Sequence, residues 1–280
     1  MPHTIPELQQ QVSDFLTDTS DNRELSERDR DYYDHKQWTA PQKAKLKSRG
    51  QAPIVVNRVK PKVEGLIGLY NLRKTDPKAY ARTEKHDQAS HVITDALRFV
   101  ADNNDLDTMK MDVAEDFWVE GYGGAITNVR EKANGEIEIT VDRIPWDRLY
   151  YDPQSRKKDF SDARYMGMMM WLGIDQVKEL FPDADTDDLL AGGTDLDDGE
   201  TFEDRPRFQD RQRERVRVAW HFYIKDGIWW YAIFSGHNVL VEPEESPFLD
   251  DEGEPANIIE MVSANVDRDN NRYGEVRGYI

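Results

Sequence analysis

The hydrophobic pattern changes its period once along the chain, and this change constrains the fold more than any other feature. Up to about residue 120 the apolar residues recur at helical spacing, as in Ala89, Val92, Ile93 and Ala96, which follow the i, i+3, i+4, i+7 pattern. From Ala125 onward, apolar and polar residues alternate in short runs that are typical of strands. Helices followed by strands, without βαβ alternation, predict an α+β fold.

Two dipeptides predict β-hairpins in the strand-rich half of the chain. Asn134-Gly135 lies between the apolar runs 126–130 and 137–141, and Asp226-Gly227 lies between 216–224 and 229–234. Both dipeptides favour type I′ turns, because Asn, Asp and Gly tolerate the positive φ angles that such turns need. In the helical half, Pro61 predicts the start of a helix that runs to about Arg73.

The patterning divides the chain into five predicted regions. They are a flexible N-terminal arm at 1–20, a helical region at 21–124, a β-rich region at 125–182, an acidic mobile loop at 183–204 and a β-hairpin region at 205–280. The loop contains ten Asp or Glu and no Lys or Arg, a composition typical of disorder. Removing those ten charges from the net charge of −18 leaves −8 on the rest of the chain.

Composition narrows the possible functions. The 280 residues are 38% hydrophobic and 33% charged, which favours an extended or multi-part subunit of a large assembly over one deep core. Cysteine is absent, so disulfides, thiolate zinc sites and cysteine nucleophiles are excluded. No apolar run reaches the ~18 residues that a membrane span needs, and the polar N-terminus indicates neither a signal nor a transit peptide.

No motif predicts catalysis, a cofactor or a metal site. Gly121-Tyr122-Gly123-Gly124 lacks the Lys and Ser/Thr of a phosphate-binding loop and follows a helix, so it predicts a helix end. Asp183-x-Asp185-x-Asp187 lacks the Gly and Glu that a calcium loop needs at its sixth and twelfth positions. The many carboxylates leave a metal-dependent nuclease open as an alternative, although nothing in their spacing selects one.

Residues 143–153 and 160–165 predict a rigid corner that presents an aromatic and charged surface. The run combines two prolines, Trp146 and two adjacent tyrosines with several charges, and such a segment loses little entropy on ordering. Tyr, Trp and Arg dominate protein–protein hot spots, so a soluble adaptor that binds one partner is a second alternative. Ordinary packing within the chain is an equally open interpretation of any single residue here.

Several blocks in this order resemble the portal (head–tail connector) proteins of tailed phages, most closely the P22-like group of short-tailed phages. The blocks are Asp31-Tyr32-Tyr33-Asp34-x-x-Gln37-Trp38-Thr39, Asn57-Arg58-Val59, Val63-Glu64-Gly65-Leu66-Ile67-Gly68, Arg143-Ile144-Pro145-Trp146-Asp147-Arg148, Tyr151-Asp152-Pro153 and Phe160-Ser161-Asp162-Ala163-Arg164-Tyr165. They fall within about residues 25–182 and are structural signatures without a catalytic role.

The resemblance implies a portal fold, with an N-terminal helical wing region (21–124) followed by a β-hairpin-rich wing and hip region (125–182). It also implies a dodecameric homo-oligomeric ring at one capsid vertex of the virion, assembled in the host cytoplasm. The implied partners are the terminase large subunit, the major capsid protein, head-completion or tail adaptor proteins, and double-stranded DNA that passes without sequence specificity. Such portals are usually longer, so residues 205–280 are expected to lead towards a stem that this chain lacks.

Thirteen residues are expected to carry the structural signature or the assembly contacts of such a portal. They are Tyr33, Trp38, Asn57, Arg58, Pro145, Trp146, Asp147, Arg148, Tyr151, Asp152, Pro153, Asp162 and Arg164. The resemblance implies no enzyme activity, no cofactor and no membrane partner.

Overall fold

The computed structural model describes residues 2–73, 76–131, 135–182, 189, 209–210, 213–250, 253–266 and 272–273. The α-helices in these ranges are α1 (Ile5–Asp18), α2 (Ser20–Tyr33), α3 (Ala40–Ser48), α4 (Lys60–Asn71), α5 (Asp87–Asn103), α6 (Leu106–Val119) and α7 (Ile174–Leu180). Two 3₁₀ helices are η1 (Glu84–His86) and η2 (Trp146–Arg148).

The described strands fall mainly in the second half of the chain, so the α+β prediction is confirmed. They are β1 (Tyr122–Glu131), β2 (Ile137–Ile144), β3 (Leu149–Tyr151), β4 (Tyr165–Gly173), β5 (Gln209–Asp210), β6 (Arg215–Lys225), β7 (Ile228–Ser235), β8 (Asn238–Glu245), β9 (Ile259–Ser263), β10 (Asn265–Val266) and β11 (Arg272–Tyr273).

The chain forms two compact units. Unit 1 comprises Met1–Arg23, Ile144–Met261 and Val266–Asn271, and unit 2 comprises Glu24–Arg143, Val262–Asn265 and Arg272–Ile280. The main division therefore falls after residue 143, and the β1–β2 hairpin belongs with the helices. The wing and hip assignments of the sequence-based regions remain predictions.

Unit 1 is built on an antiparallel sheet of order β3-β4-β6-β7-β8, with β5 beside β6. The predicted hairpin at Asp226-Gly227 is confirmed, since Lys225 pairs with Ile228 and both turn residues have positive φ angles of 55° and 83°. The core of unit 1 includes Val177, Leu189, Val216 and Val218, all fully buried. Apart from Leu189, the predicted acidic loop 183–204 lies outside the described residues.

The prediction of a flexible arm at 1–20 was wrong. Residues 5–18 form α1, whose N-terminus has a capping box between Thr4 and Glu7. Its apolar side chains Leu8, Val12, Phe15 and Leu16 recur at i, i+4, i+7 and i+8 and are buried. The polar composition of the segment concealed this narrow stripe, and burial of the stripe holds α1 in unit 1.

Unit 2 contains α2 from Glu24 onward, α3–α6 and the predicted β1–β2 hairpin. Its segment Val262–Asn265 includes the end of β9, the strand that pairs with β1. A small core of Tyr33, Val63 and Val119 joins α2, α4 and α6. Helix α4 begins at Lys60, next to Pro61 as predicted. The apolar run at 54–56 lies outside any strand and leaves Ile54 and Val56 exposed.

Candidate assembly site

The predicted corner is a short 3₁₀ turn followed by a buried strand. Pro145 has the extended angles φ −54° and ψ 140°, and its carbonyl oxygen accepts a 2.9 Å hydrogen bond from the Arg148 backbone N–H. Trp146 is half-buried, whereas Asp147 and Arg148 are exposed. The corner therefore presents mainly charge to its surroundings.

The two tyrosines of this corner point inward, contrary to the predicted aromatic surface. Tyr150 and Tyr151 are buried on β3. Within unit 1, the Tyr151 ring makes edge contacts with Phe15 of α1 at 5.1 Å and with Phe160 at 4.8 Å between ring centroids. Tyr151 is thus a core residue that attaches α1 and the 152–164 loop to the sheet.

Asp152 and Asp162 hold that loop through hydrogen bonds to its backbone. Buried Asp152 accepts from the backbone N–H groups of Gln154 at 2.9 Å and Arg164 at 3.2 Å. Asp162 accepts from the Ser155 hydroxyl at 2.6 Å and the Arg156 backbone N–H at 2.7 Å. Burial by itself would raise the pKa of Asp162, but these hydrogen bonds lower it to about 2.

The exposed partner of this loop is Arg164. Its side chain is 77% exposed, and its Nε lies 3.7 Å from an Asp152 carboxylate oxygen. Solvent screens the exposed guanidinium, so a pair at this distance contributes little to stability. Pro153 is half-buried beside it. The loop therefore owes its shape mainly to backbone hydrogen bonds, which leaves the Arg164 guanidinium accessible to a partner.

In unit 2, Asn57 joins the end of α2 to the start of α4. Its side-chain amide donates to the carbonyl oxygens of Tyr32 and Tyr33, each at 2.9 Å. Its Oδ1 accepts from the backbone N–H groups of Val59 at 2.9 Å and Lys60 at 3.1 Å. One side chain thus satisfies backbone groups that two helix ends leave without intrahelical partners.

The other signature residues of unit 2 differ in burial. Tyr33 is buried, and its hydroxyl donates to Glu115 at 3.2 Å. Burial raises the pKa of Tyr33 to about 12, and the charge of Glu115 adds to the effect. Trp38 is half-buried and donates from Nε1 to the Ile54 carbonyl at 3.0 Å. Arg58 is exposed.

A cluster of five charged side chains connects α2, α6 and β2 in unit 2. Arg30 contacts Glu115 at 2.6 Å, Asp116 at 3.2 Å and Glu120 through both Nε and Nη2. Arg143 binds Asp116 through two parallel hydrogen bonds of 2.7 and 2.5 Å. Asp116 and Glu120 are fully buried, and two guanidiniums oppose three carboxylates.

The imbalance of charge and the burial favour retention of a proton in this cluster. Burial raises the pKa of Glu120 to about 8, against the opposing hydrogen bond and charge of Arg30, and the Asp116 charge adds to the increase. Burial also raises the pKa of Asp116, although Arg143 opposes it. Because arginines occupy these carboxylates, the cluster is a structural joint. No group of three or more potential metal ligands occurs among the described residues.

A family model described as the phage P22-like portal protein matches residues 9–280. The chain belongs to the phage P22-like portal protein family. No curated protein sequence matches the chain.

The resemblance in the sequence blocks is therefore confirmed by a match over nearly the whole chain. Membership makes this a viral structural protein of the bacteriophage head–tail connector class, located in the virion capsid. No described helix of this portal protein is both long and apolar enough to span a membrane.

Sequence reasoning missed the charge cluster of this portal protein. Asp116 and Glu120 are spaced i, i+4 on α6 beside the apolar Phe117 and Trp118, a pattern that could have indicated carboxylates facing the interior. Arg30 and Arg143 gave no comparable signal, because each is distant in sequence from its partners. From its position in the sequence, Arg143 was recognisable only as the first residue of the corner.

Proposed function

We propose that this portal protein assembles into a closed dodecameric ring at one capsid vertex, through which double-stranded DNA is packaged and later ejected. The observation that supports the proposal most is the family match over residues 9–280. The ring would dock the terminase large subunit during packaging and contact the major capsid protein. It would then bind head-completion or tail adaptor proteins, after assembly in the host cytoplasm.

The net negative charge of the chain agrees with this role. A net charge of −18 limits the number of phosphates that Lys and Arg can neutralise, and each neutralised phosphate adds a salt-dependent attraction. DNA would thus pass without sequence-specific retention.

The exposed charges of the signature support contacts to neighbouring subunits or partners. Asp147, Arg148 and Arg164 are exposed, and hydrogen bonds hold the backbone at Arg148 and Arg164, so little backbone entropy would be lost when they bind. Tyr33, Asn57, Tyr151, Asp152 and Asp162 would instead keep the subunit in the shape that assembly requires, since they hold helix ends and loops in place.

Electron microscopy combined with mass photometry of the purified chain tests the proposal. We expect closed rings of uniform subunit number, and rings that also form in the presence of a nonspecific DNA fragment without retaining it at physiological salt. A particle that stays monomeric at all concentrations and salt conditions would contradict ring formation. Mg²⁺-dependent cleavage of DNA by a clean preparation would instead support the nuclease alternative.

A further inference from the structure

The described residues leave the apolar face of helix α5 uncovered. The side chains of Val92 and Phe99 are 70% and 67% exposed, and Ile93 and Leu97 are also exposed. The buried face of this helix is polar, because Ser90 and Thr94 lie inward and the Thr94 hydroxyl accepts a 3.0 Å hydrogen bond from the Ala79 backbone N–H. The helix is thus amphipathic with its apolar side turned outward.

An uncovered face of this kind indicates a missing contact surface. Burying large apolar side chains is favourable, and contiguous exposed apolar patches mark interaction sites. At 100° per residue, Val92, Ile93, Ala96 and Phe99 lie on one side of α5.

Helix α4 carries a second outward face, which combines small and apolar residues. Gly65, Gly68, Leu69 and Leu72 lie opposite the buried Val63 at helical spacing. Leu69 and Leu72 are 62% and 83% exposed. A Cβ placed on Gly65 or Gly68 would meet no atom of the described residues within 4 Å.

The two glycines leave a shallow groove on α4 that another helix can enter. Glycine is a poor helix former, so its presence at both positions predicts that a neighbouring backbone approaches them closely. Within the described part of the chain no backbone does so. The approaching helix therefore has to come from outside this chain or from its undescribed residues.

The charges beside the two faces have opposite signs. Helix α4 contains Lys60, Lys62 and Glu64, and Arg73 follows it, so its surroundings are net basic. Helix α5 contains Asp87, Asp95, Arg98 and Asp102, and is net acidic. Pairing α5 with a second α5 would bring like charges together, whereas pairing α5 with α4 brings opposite charges together.

We propose that the apolar face of α5 in one copy packs into the Gly65–Gly68 groove of α4 in the next copy. Every copy offers one acidic and one basic face, so a second copy of this chain satisfies both. Two different surfaces in contact make a heterologous interface, which closes into a ring when its rotation permits. This inference rests on the proposed function and names the subunit surface that it needs.

The absence of cysteine allows a direct cross-linking test. Leu69→Cys and Val92→Cys are prepared as two separate single variants of the full 280-residue chain, mixed and mildly oxidised. Both positions are exposed, so the far-UV circular dichroism of each variant is expected to match the parent. We expect the mixed disulfide to form roughly tenfold or more faster than either homodimer, because binding raises the local concentration. Ser48→Cys, exposed on α3, is the matched control and should show no preference for Val92→Cys.

The outcomes separate this inference from the proposed function. Rings without a preferred mixed disulfide would overturn the α4–α5 contact while leaving ring formation intact. Fast Val92→Cys homodimers would indicate an isologous α5–α5 contact and would also overturn it. A chain that remains monomeric and gives only random cross-links would contradict the ring itself. Val92→Asp should reduce ring formation at least tenfold, and an unchanged ring population would count against the inference.

Discussion

Tyr150 and His221 form a 2.9 Å hydrogen bond across Gly167 in the sheet of unit 1. The three residues are in register on β3, β4 and β6, and the absent side chain of Gly167 leaves the space in which the tyrosine lies. The other ring nitrogen of His221 is 2.7 Å from Oε1 of Gln11 on α1. Since this oxygen can only accept, Nε2 donates and Nδ1 accepts from Tyr150.

Gly167→Ala is expected to destabilise unit 1. An added Cβ would lie 2.2 Å from the Tyr150 ring and 2.4 Å from the Trp220 carbonyl oxygen, and overpacking of this kind costs about 1–3 kcal/mol or more. Urea unfolding followed by tryptophan fluorescence measures the effect. The control is Gly173→Ala, where the nearest atom is 3.7 Å away. Equal stability of the two variants would contradict the packing described for Tyr150.

Acid should weaken the chain through His221. Burial lowers the pKa of His221 to about 3, so the unfolded state binds a proton below its ordinary value of 6.5 while the folded state does not. This contribution is present above pH 6.5 and is lost as the pH falls towards 3. Between pH 7 and pH 5 the loss is about 2 kcal/mol.

The His221→Gln variant isolates this contribution. It will be less stable than the parent at neutral pH, but its unfolding free energy should fall by about 2 kcal/mol less between pH 7 and pH 5. Chemical unfolding at a series of pH values gives both slopes. Parallel slopes for the parent and the variant would show that folding does not lower the pKa of His221.

Alkaline pH should weaken unit 2 through Glu120. Its raised pKa of about 8 means that the folded state holds a proton that the unfolded state releases above its ordinary value of 4.5. The stabilisation that this proton gives the folded state is fully present below pH 4.5 and is lost as the pH rises from 4.5 through about 8. From pH 6.5 to 8.5 the loss is on the order of 2 kcal/mol.

Glu120→Gln keeps the shape of the side chain and removes its titration. We expect the variant to have a flatter dependence of unfolding free energy on pH between 6.5 and 8.5 than the parent. Exposed Glu84 on η1 provides the control, since Glu84→Gln should leave the parent's slope unchanged. A slope in Glu120→Gln equal to that of the parent would place the proton elsewhere in the cluster.

Asn57→Ala should loosen the junction of α2 and α4. The change removes four hydrogen bonds to backbone groups, and the loss of a helix cap alone costs about 1 kcal/mol. We expect a decrease of about 2 kcal/mol in unfolding free energy and faster amide exchange at Val59 and Lys60. Asn57→Asp retains the acceptor and should protect these two amides. Arg58→Ala, at the adjacent exposed position, should change stability by less than about 0.5 kcal/mol.

Arg148→Glu tests the assembly role of the corner. Arg148 is exposed on η2, so reversal of its charge should leave the melting temperature of the subunit nearly unchanged. If the corner contacts a neighbouring subunit or a partner, the variant should form fewer rings or bind fewer partners, as measured by mass photometry. Lys225→Glu, another charge reversal in unit 1, is the control. Identical ring populations for all three proteins would remove the corner from the assembly surface.

Local backbone chemistry made several elements predictable from sequence. Proline is tolerated only in the first turn of a helix, and α4 begins at the residue before Pro61. Asp226 and Gly227 accept positive φ angles, and the β6–β7 turn has them. The portal signature was also recognisable in the sequence, because its blocks Tyr33–Trp38, Asn57–Arg58 and Pro145–Arg148 are defined by residue type and spacing alone.

The functions of those same residues depended on contacts that no local pattern contains. Tyr151 appeared to belong to an aromatic surface, yet it packs against Phe15 from a segment expected to be flexible. Arg30 meets Glu120 across 90 positions of sequence.

By itself, the sequence determined the α+β class, the hairpin turns, the amphipathic character of α5 and the family, since these follow from residue type and spacing. Only the tertiary structure decided which faces are covered. Burial depends on which distant segments meet, and so the tertiary structure placed α1 inside unit 1, joined Tyr150 to His221 over Gly167, and left the apolar side of α5 exposed.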